Sequence, residues 1–148
     1  MFDDLTDLYQ QVIMDHSREP RNFRAMEHPD RQSRGTNPLC GDQYTLYFHL
    51  DGDVIKEVTF EGSGCAISKA SASILTEVLQ GRTIAEARKM FDQVHEMVTH
   101  GHVPEGDLGK LAVFAGVHKF PARVKCAILP WHAAIAALEG SSETVSTE

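Results

Sequence analysis

An α+β fold, with a small antiparallel sheet of about three strands and helices packed on it, is what this sequence predicts. Two observations carry the expectation. The hydrophobic period changes from helical to two and back to helical along the chain, and the two period-two segments are joined by a connection too short for a parallel crossover. The elements also run helix, strands, helices, rather than alternating strand and helix.

In order, Leu5, Leu8, Tyr9, Val12 and Ile13 fall on one helical face, with Asp3 and Asp4 suited to the cap and first turn. The helix is expected to fade by Glu19, because Pro20 disfavours helical geometry in the residue before it. Pro20 to Pro29 reads as an irregular connector, continuing through Arg31-Gln32-Ser33-Arg34-Gly35 to the first cysteine. From Gln43 to Leu50, Tyr44, Leu46, Phe48 and Leu50 point one way, and Thr45, Tyr47 and His49 the other. Asp51-Gly52-Asp53 is a hairpin signal, and Val54 to Glu61 the returning strand.

Gly62-Ser63-Gly64 breaks that strand. A helix follows with Ile67, Ala70, Ile74, Leu75, Val78 and Leu79 as its apolar stripe, ended by Gly81. Thr83-Ile84-Ala85-Glu86 is a capping box opening a helix with Ala87, Phe91, Val94 and Val98 on one face. Residues 100 to 106 read as a loop, Asp107 to Val117 as a short helix, and a last helix follows Pro121 through Leu138. One domain spanning 1–139 is expected, with a Ser/Thr/Glu-rich, disordered tail at 140–148.

A net charge of −7 argues against nucleic acid, which wants clustered Lys and Arg. The acidic N-terminus lacks the basic start and apolar run of a signal peptide, and no apolar stretch is long enough to span a membrane. These features point to the cytoplasm, where three cysteines mean reactivity, metal binding or burial rather than disulfides.

Each cysteine lies at an element boundary. Cys40 sits in Asn37-Pro38-Leu39-Cys40-Gly41-Asp42, Cys65 in Gly62-Ser63-Gly64-Cys65-Ala66, and Cys126 in Arg123-Val124-Lys125-Cys126-Ala127, at the expected start of the last helix. A helix N-terminus favours thiolate, and Arg123 and Lys125 should push Cys126 the same way. Pro38 and Gly41 permit a bend bringing the Asp42 carboxylate to the Cys40 thiol, and three thiolates with one carboxylate are a feasible set for zinc. No Cys-x-x-Cys pair occurs, so spacing alone leaves open three separately packed small thiols.

The three cysteine segments resemble those of the IscU/NifU N-terminal family of iron–sulfur assembly proteins, as do Tyr9, Asp15-His16 and Pro20-Arg21-Asn22. The likeness runs from about Leu5 to Leu138. Lys125, where scaffold-type members carry His, and an extra piece around Phe91 to Leu108 are similar to the SufU branch. The resemblance implies an IscU/NifU-like fold and a zinc-bound sulfurtransferase that accepts persulfide sulfur from a pyridoxal-phosphate cysteine desulfurase of the SufS type. A downstream iron–sulfur assembly scaffold would then receive the sulfur. It implies Cys40, Asp42, Cys65 and Cys126 as metal ligands and Cys40 as the sulfur acceptor, with Arg123 and Lys125 beside them.

The alternatives are a platform for a transient [2Fe–2S] cluster or iron on the same ligands, a structural zinc module, and a cysteine hydrolase using Cys40 and a His, for which no local signature appears. His100 and His102 read as surface loop residues, His16, His118 and His132 as helix-surface or packed residues, and Trp131 as a core anchor. Pro130 leaves the start of the last helix open.

Overall fold

A computed structural model describes residues 4–102, 109–140 and 144–146. Asp3, the side chains of Asp4, Leu5 and Leu8, and the segment 103–108, with its expected loop and helix start, lie outside the described residues. The chain runs α1 (Asp4–Arg18), β1 (Arg31–Asn37), β2 (Asp42–Asp51), β3 (Val54–Ser63), α2 (Ala66–Leu79), α3 (Ile84–His100), α4 (Pro121–Leu138) and β4 (Val145–Ser146). Two 3₁₀ turns, Gly109–Phe114 and Val117–Lys119, precede α4. The sheet order is β3-β2-β1-β4, antiparallel except for the short parallel pairing of β4 with β1.

The hairpin forms as expected, with Gly52 at φ 63° in the turn. Tyr44, Leu46 and Phe48 of β2 and Ile55, Val58 and Phe60 of β3 supply the sheet's share of the core. Helix α4 lies over β1 and β2 and α2 over β3, while α1 packs on α2 and α3 on α4. Trp131 is fully buried, the core anchor expected of it. The Thr83/Glu86 capping box is present, and Gly81 has the left-handed backbone, φ 88°, that follows the end of α2. Among the described residues no helix is long and apolar enough to cross a membrane.

Three expectations need correction. The segment Arg31–Asn37, read as part of a connector, is a strand. It carries no apolar alternation because its inward residues Ser33, Gly35 and Asn37 are small or polar. That smallness is needed: a Cβ on Gly35 would lie 3.0 Å from Leu129 Cδ1 and 3.2 Å from the Ala133 Cβ. Second, Cys126 stands inside α4, which begins at Pro121, rather than at the helix start. Third, His100 closes α3 instead of opening the loop. Pro130 lies within α4 and has no N–H to give the Cys126 carbonyl four residues back. Within the tail, Val145–Ser146 pairs with Gly35 and Thr36.

Candidate metal and thiol centre

Strand β1 ends at Asn37, whose carbonyl accepts a hydrogen bond from the Cys40 N–H at 3.1 Å. Gly41, at φ 73°, then turns the chain into β2, whose first residue, Asp42, pairs directly with Asn37. This bend leaves the Cys40 thiol exposed and sends the Asp42 carboxylate into the interior, 1% exposed.

The second cysteine arrives from the far end of β3. Gly62, at φ 141°, and Gly64 are both crowded. A Cβ on Gly62 would strike the Gln43 carbonyl, and one on Gly64 would strike Asp42 Oδ1, the Tyr44 hydroxyl and Ser68 Oγ. Glycine there lets the β3–α2 connection press against the carboxylate. Cys65 caps α2, its sulfur accepting the Ser68 N–H at 3.4 Å, while its own N–H donates to Asp42 Oδ1 at 2.9 Å. Ser68 Oγ bonds the Tyr44 hydroxyl at 2.9 Å. The third cysteine projects from α4, buried, with its sulfur 3.8 Å from that of Cys40.

The ligand atoms of Cys40, Asp42 and Cys126 all lie within 4.8 Å of one another. The Cys65 sulfur does not join that set at this distance, although it stands close enough to Cys126 to shift its ionisation. Burial pushes the Cys126 thiol far above its ordinary range, and the neighbouring Asp42 carboxylate and Cys65 thiol push it further up. This corrects the expectation that Arg123, Lys125 and a helix N-terminus would favour its thiolate. Arg123 is exposed on the first turn of α4, and Cys126 is too far into the helix for the free N–H groups to reach it.

The donors suit a soft divalent cation. Asp42 Oδ2 is buried without a hydrogen-bond partner, and a buried thiol is held neutral beside a carboxylate. A metal would satisfy the first and reverse the second, because thiolate is the ligating form. Thiolate with carboxylate suits zinc and also iron.

Four residues besides the expected ligands shape the site, and only one of these contacts left a trace in the sequence. Ser68 lies one helical turn after Cys65, the spacing of a capping contact. Tyr44 read as plain core, its hydroxyl's role invisible to an alternating pattern. Asn37 and Gly64 show their meaning only through cross-strand pairing and close approach. Asn37 is fully buried with neither Nδ2 nor Oδ1 hydrogen-bonded among the described residues.

The histidines stay out of the ligand set. His16 is buried, its Nδ1 donating to Ser73 Oγ at 2.7 Å, while the Lys110 ammonium donates to its Nε2 at 3.0 Å. Burial, with the Arg21 and Lys110 charges nearby, lowers its pKa and keeps it neutral. His132 packs edge-on against Phe91, and His118 lies against Gly101. His100 and His102 are exposed. Pro20-Arg21-Asn22 is a structural clasp: the Arg21 N–H donates to Ser73 Oγ and the Asn22 amide to Thr76 Oγ1.

Comparison with known proteins identifies the family of the chain. The family model described as the NifU-like N terminal domain matches residues 8–127. The chain is 42% identical over 130 residues to the zinc-dependent sulfurtransferase SufU of Bacillus subtilis, covering 87% of this chain and 88% of that protein. It is 37% identical over 139 residues to the iron–sulfur cluster assembly scaffold protein IscU of Streptococcus pyogenes, covering 93% and 87%. The SUF-system protein FiSufU of Fervidobacterium islandicum superposes with a TM-score of 0.82 at 40% identity, covering 86% of this chain and 94% of the other. The chain therefore belongs to the NifU-like N-terminal domain family.

Proposed function

We propose that this protein is a zinc-dependent sulfur acceptor of iron–sulfur cluster biogenesis, acting in the cytoplasm. It takes persulfide sulfur onto Cys40 from a pyridoxal-phosphate cysteine desulfurase of the SufS type and passes it to an assembly scaffold. One observation carries the reading: within a cluster whose other two members, Asp42 and Cys126, are buried, the Cys40 thiol alone is exposed, on a turn. A permanent structural site would gain from burying all its ligands, whereas an acceptor must present one of them. The likeness to the Bacillus sulfurtransferase supports it.

Cys40, Asp42, Cys65 and Cys126 would hold the zinc, which keeps their thiols ionised without redox chemistry of its own. The chain's residues do the rest. Asp42, fixed through Oδ1 by the Cys65 N–H, keeps its free oxygen at the centre. The turn closed by the Cys40 N–H to the Asn37 carbonyl carries the thiol to the surface. There the Cys40 thiolate attacks the outer sulfur of the partner's persulfide. A sulfur–sulfur bond to Cys40 forms, the partner's breaks, and the partner leaves as thiolate with no oxidant consumed.

A platform for a transient [2Fe–2S] cluster is the second reading, favoured by the likeness to the Streptococcus scaffold protein. Metal analysis with a desulfurase turnover assay separates the two. Stoichiometric zinc, with stimulation lost in Cys40→Ala, is expected. A brown, iron-containing protein that donates its cluster and leaves desulfurase turnover unchanged would favour the platform.

A further inference from the structure

Beside the exposed thiol lies a cavity of about 210 Å³ lined by Asn37, Leu39, Cys40, Pro121, Ala122 and Lys125. Its walls are chiefly apolar, with three exceptions. One is the Cys40 sulfur residue itself. A second is Lys125, half-buried, which has no ion pair or hydrogen bond among the described residues, whereas Arg21, Arg24, Arg82, Arg88 and Lys110 are each ion-paired.

 The third exception is Asn37, fully buried, its amide left without a partner on either atom. An ammonium and an orphaned amide beside a reactive thiol make a site for a small, soft anion in otherwise apolar surroundings.

We propose that this cavity seats the transferred sulfur: the outer sulfur of a Cys40 persulfide enters it and lies as an anion against the Lys125 ammonium, with the Asn37 amide as a second donor. The inference rests on the sulfur-acceptor reading and adds the residues that hold the cargo. Leu39, Pro121 and Ala122 give the cavity apolar walls, which lower the polarity around the sulfur and strengthen its attraction to the ammonium.

The test measures how fast the persulfide is lost. Inorganic polysulfide loads the zinc-bound protein: the Cys40 thiolate takes one sulfur and a polysulfide shorter by one atom leaves. Cyanide then removes the outer sulfur as thiocyanate and returns the thiolate, and intact-mass spectrometry with peptide mapping follows Cys40. Lys125→Met is expected to lose the persulfide about tenfold faster than the unsubstituted protein, the scale of one charge-assisted hydrogen bond, and Lys125→Arg to recover most of the difference. Equal rates in Lys125→Met and the unsubstituted protein overturn the proposal, as does a Lys125→Arg rate as fast as that of Lys125→Met. A parallel loading with desulfurase and cysteine tests the underlying reading separately. If the desulfurase leaves no sulfur on Cys40 while the polysulfide-loaded form still depends on Lys125, the acceptor reading fails and the cavity assignment stands.

Discussion

The Cys40 and Cys126 sulfurs stand 3.8 Å apart, although a turn and a helix 86 positions apart in sequence supply them. Without metal, that proximity is a liability. Mild oxidation of the metal-free protein should link Cys40 to Cys126, since small side-chain movements reach disulfide geometry. Non-reducing peptide mapping would find that pair, and zinc loading should suppress it. A dominant link through Cys65 would contradict the geometry.

Asp42 offers one free buried oxygen and uses the other to hold the Cys65 N–H. Asp42→Asn keeps the shape and the acceptor oxygen but removes the charge. Its zinc affinity, measured by competition with a chromophoric chelator, should fall tenfold or more. Stabilisation by saturating zinc should shrink by about 1.4 kcal/mol for each tenfold lost.

The crowding at Gly64 predicts a steric effect on the same site. Gly64→Ala places a methyl group against Asp42, Tyr44 and Ser68, so one of them must move. Thermal unfolding of the metal-free variant should show a loss of about 1–3 kcal/mol, with weaker zinc binding. Gly41→Ala has open space around its Cβ but a left-handed backbone, so its cost, about 1–2 kcal/mol, is conformational.

His16 makes stability depend on pH away from the thiols. Its folded pKa lies below the ordinary histidine value of about 6.5, first because of burial and then because of Arg21 and Lys110. Between the two values the unfolded chain binds more protons, so the native state loses stability as pH falls through that window. The stabilisation is complete above the ordinary value and gone below the lowered one. Denaturant midpoints should therefore drop from about pH 7 to about pH 5, and His16→Asn should flatten the slope. His132, lowered by burial and by His95, acts in the same direction, so a residual slope remains.

The hairpin, the capping box of α3 and the apolar stripes of α2 and α3 were legible because each is a local pattern: alternation, a turn signal, helical spacing. Strand β1 was not, because its inward face is Ser33, Gly35 and Asn37. The requirement for small residues there comes from Leu129 and Ala133, remote in sequence. The meeting of Cys40, Asp42 and Cys126 was expected from the resemblance of three motifs, since spacing alone left separate burial open. The ionisation of Cys126 was misread. Its neighbours in sequence are cationic, whereas its neighbours in space are a carboxylate and a thiol in a dry interior. Asn37, Tyr44 and Gly64 act through contacts that no local pattern encodes.

The most direct measurement of the central claim is the position of the transferred sulfur. The zinc-bound protein is incubated with a SufS-type desulfurase and cysteine, trapped by alkylation, and mapped by mass spectrometry. The account predicts one added sulfur on Cys40, none on Cys65 or Cys126, and none anywhere in Cys40→Ser. Sulfur on Cys65 or Cys126 with Cys40 unmodified, or full sulfur loading of Cys40→Ser, would contradict it.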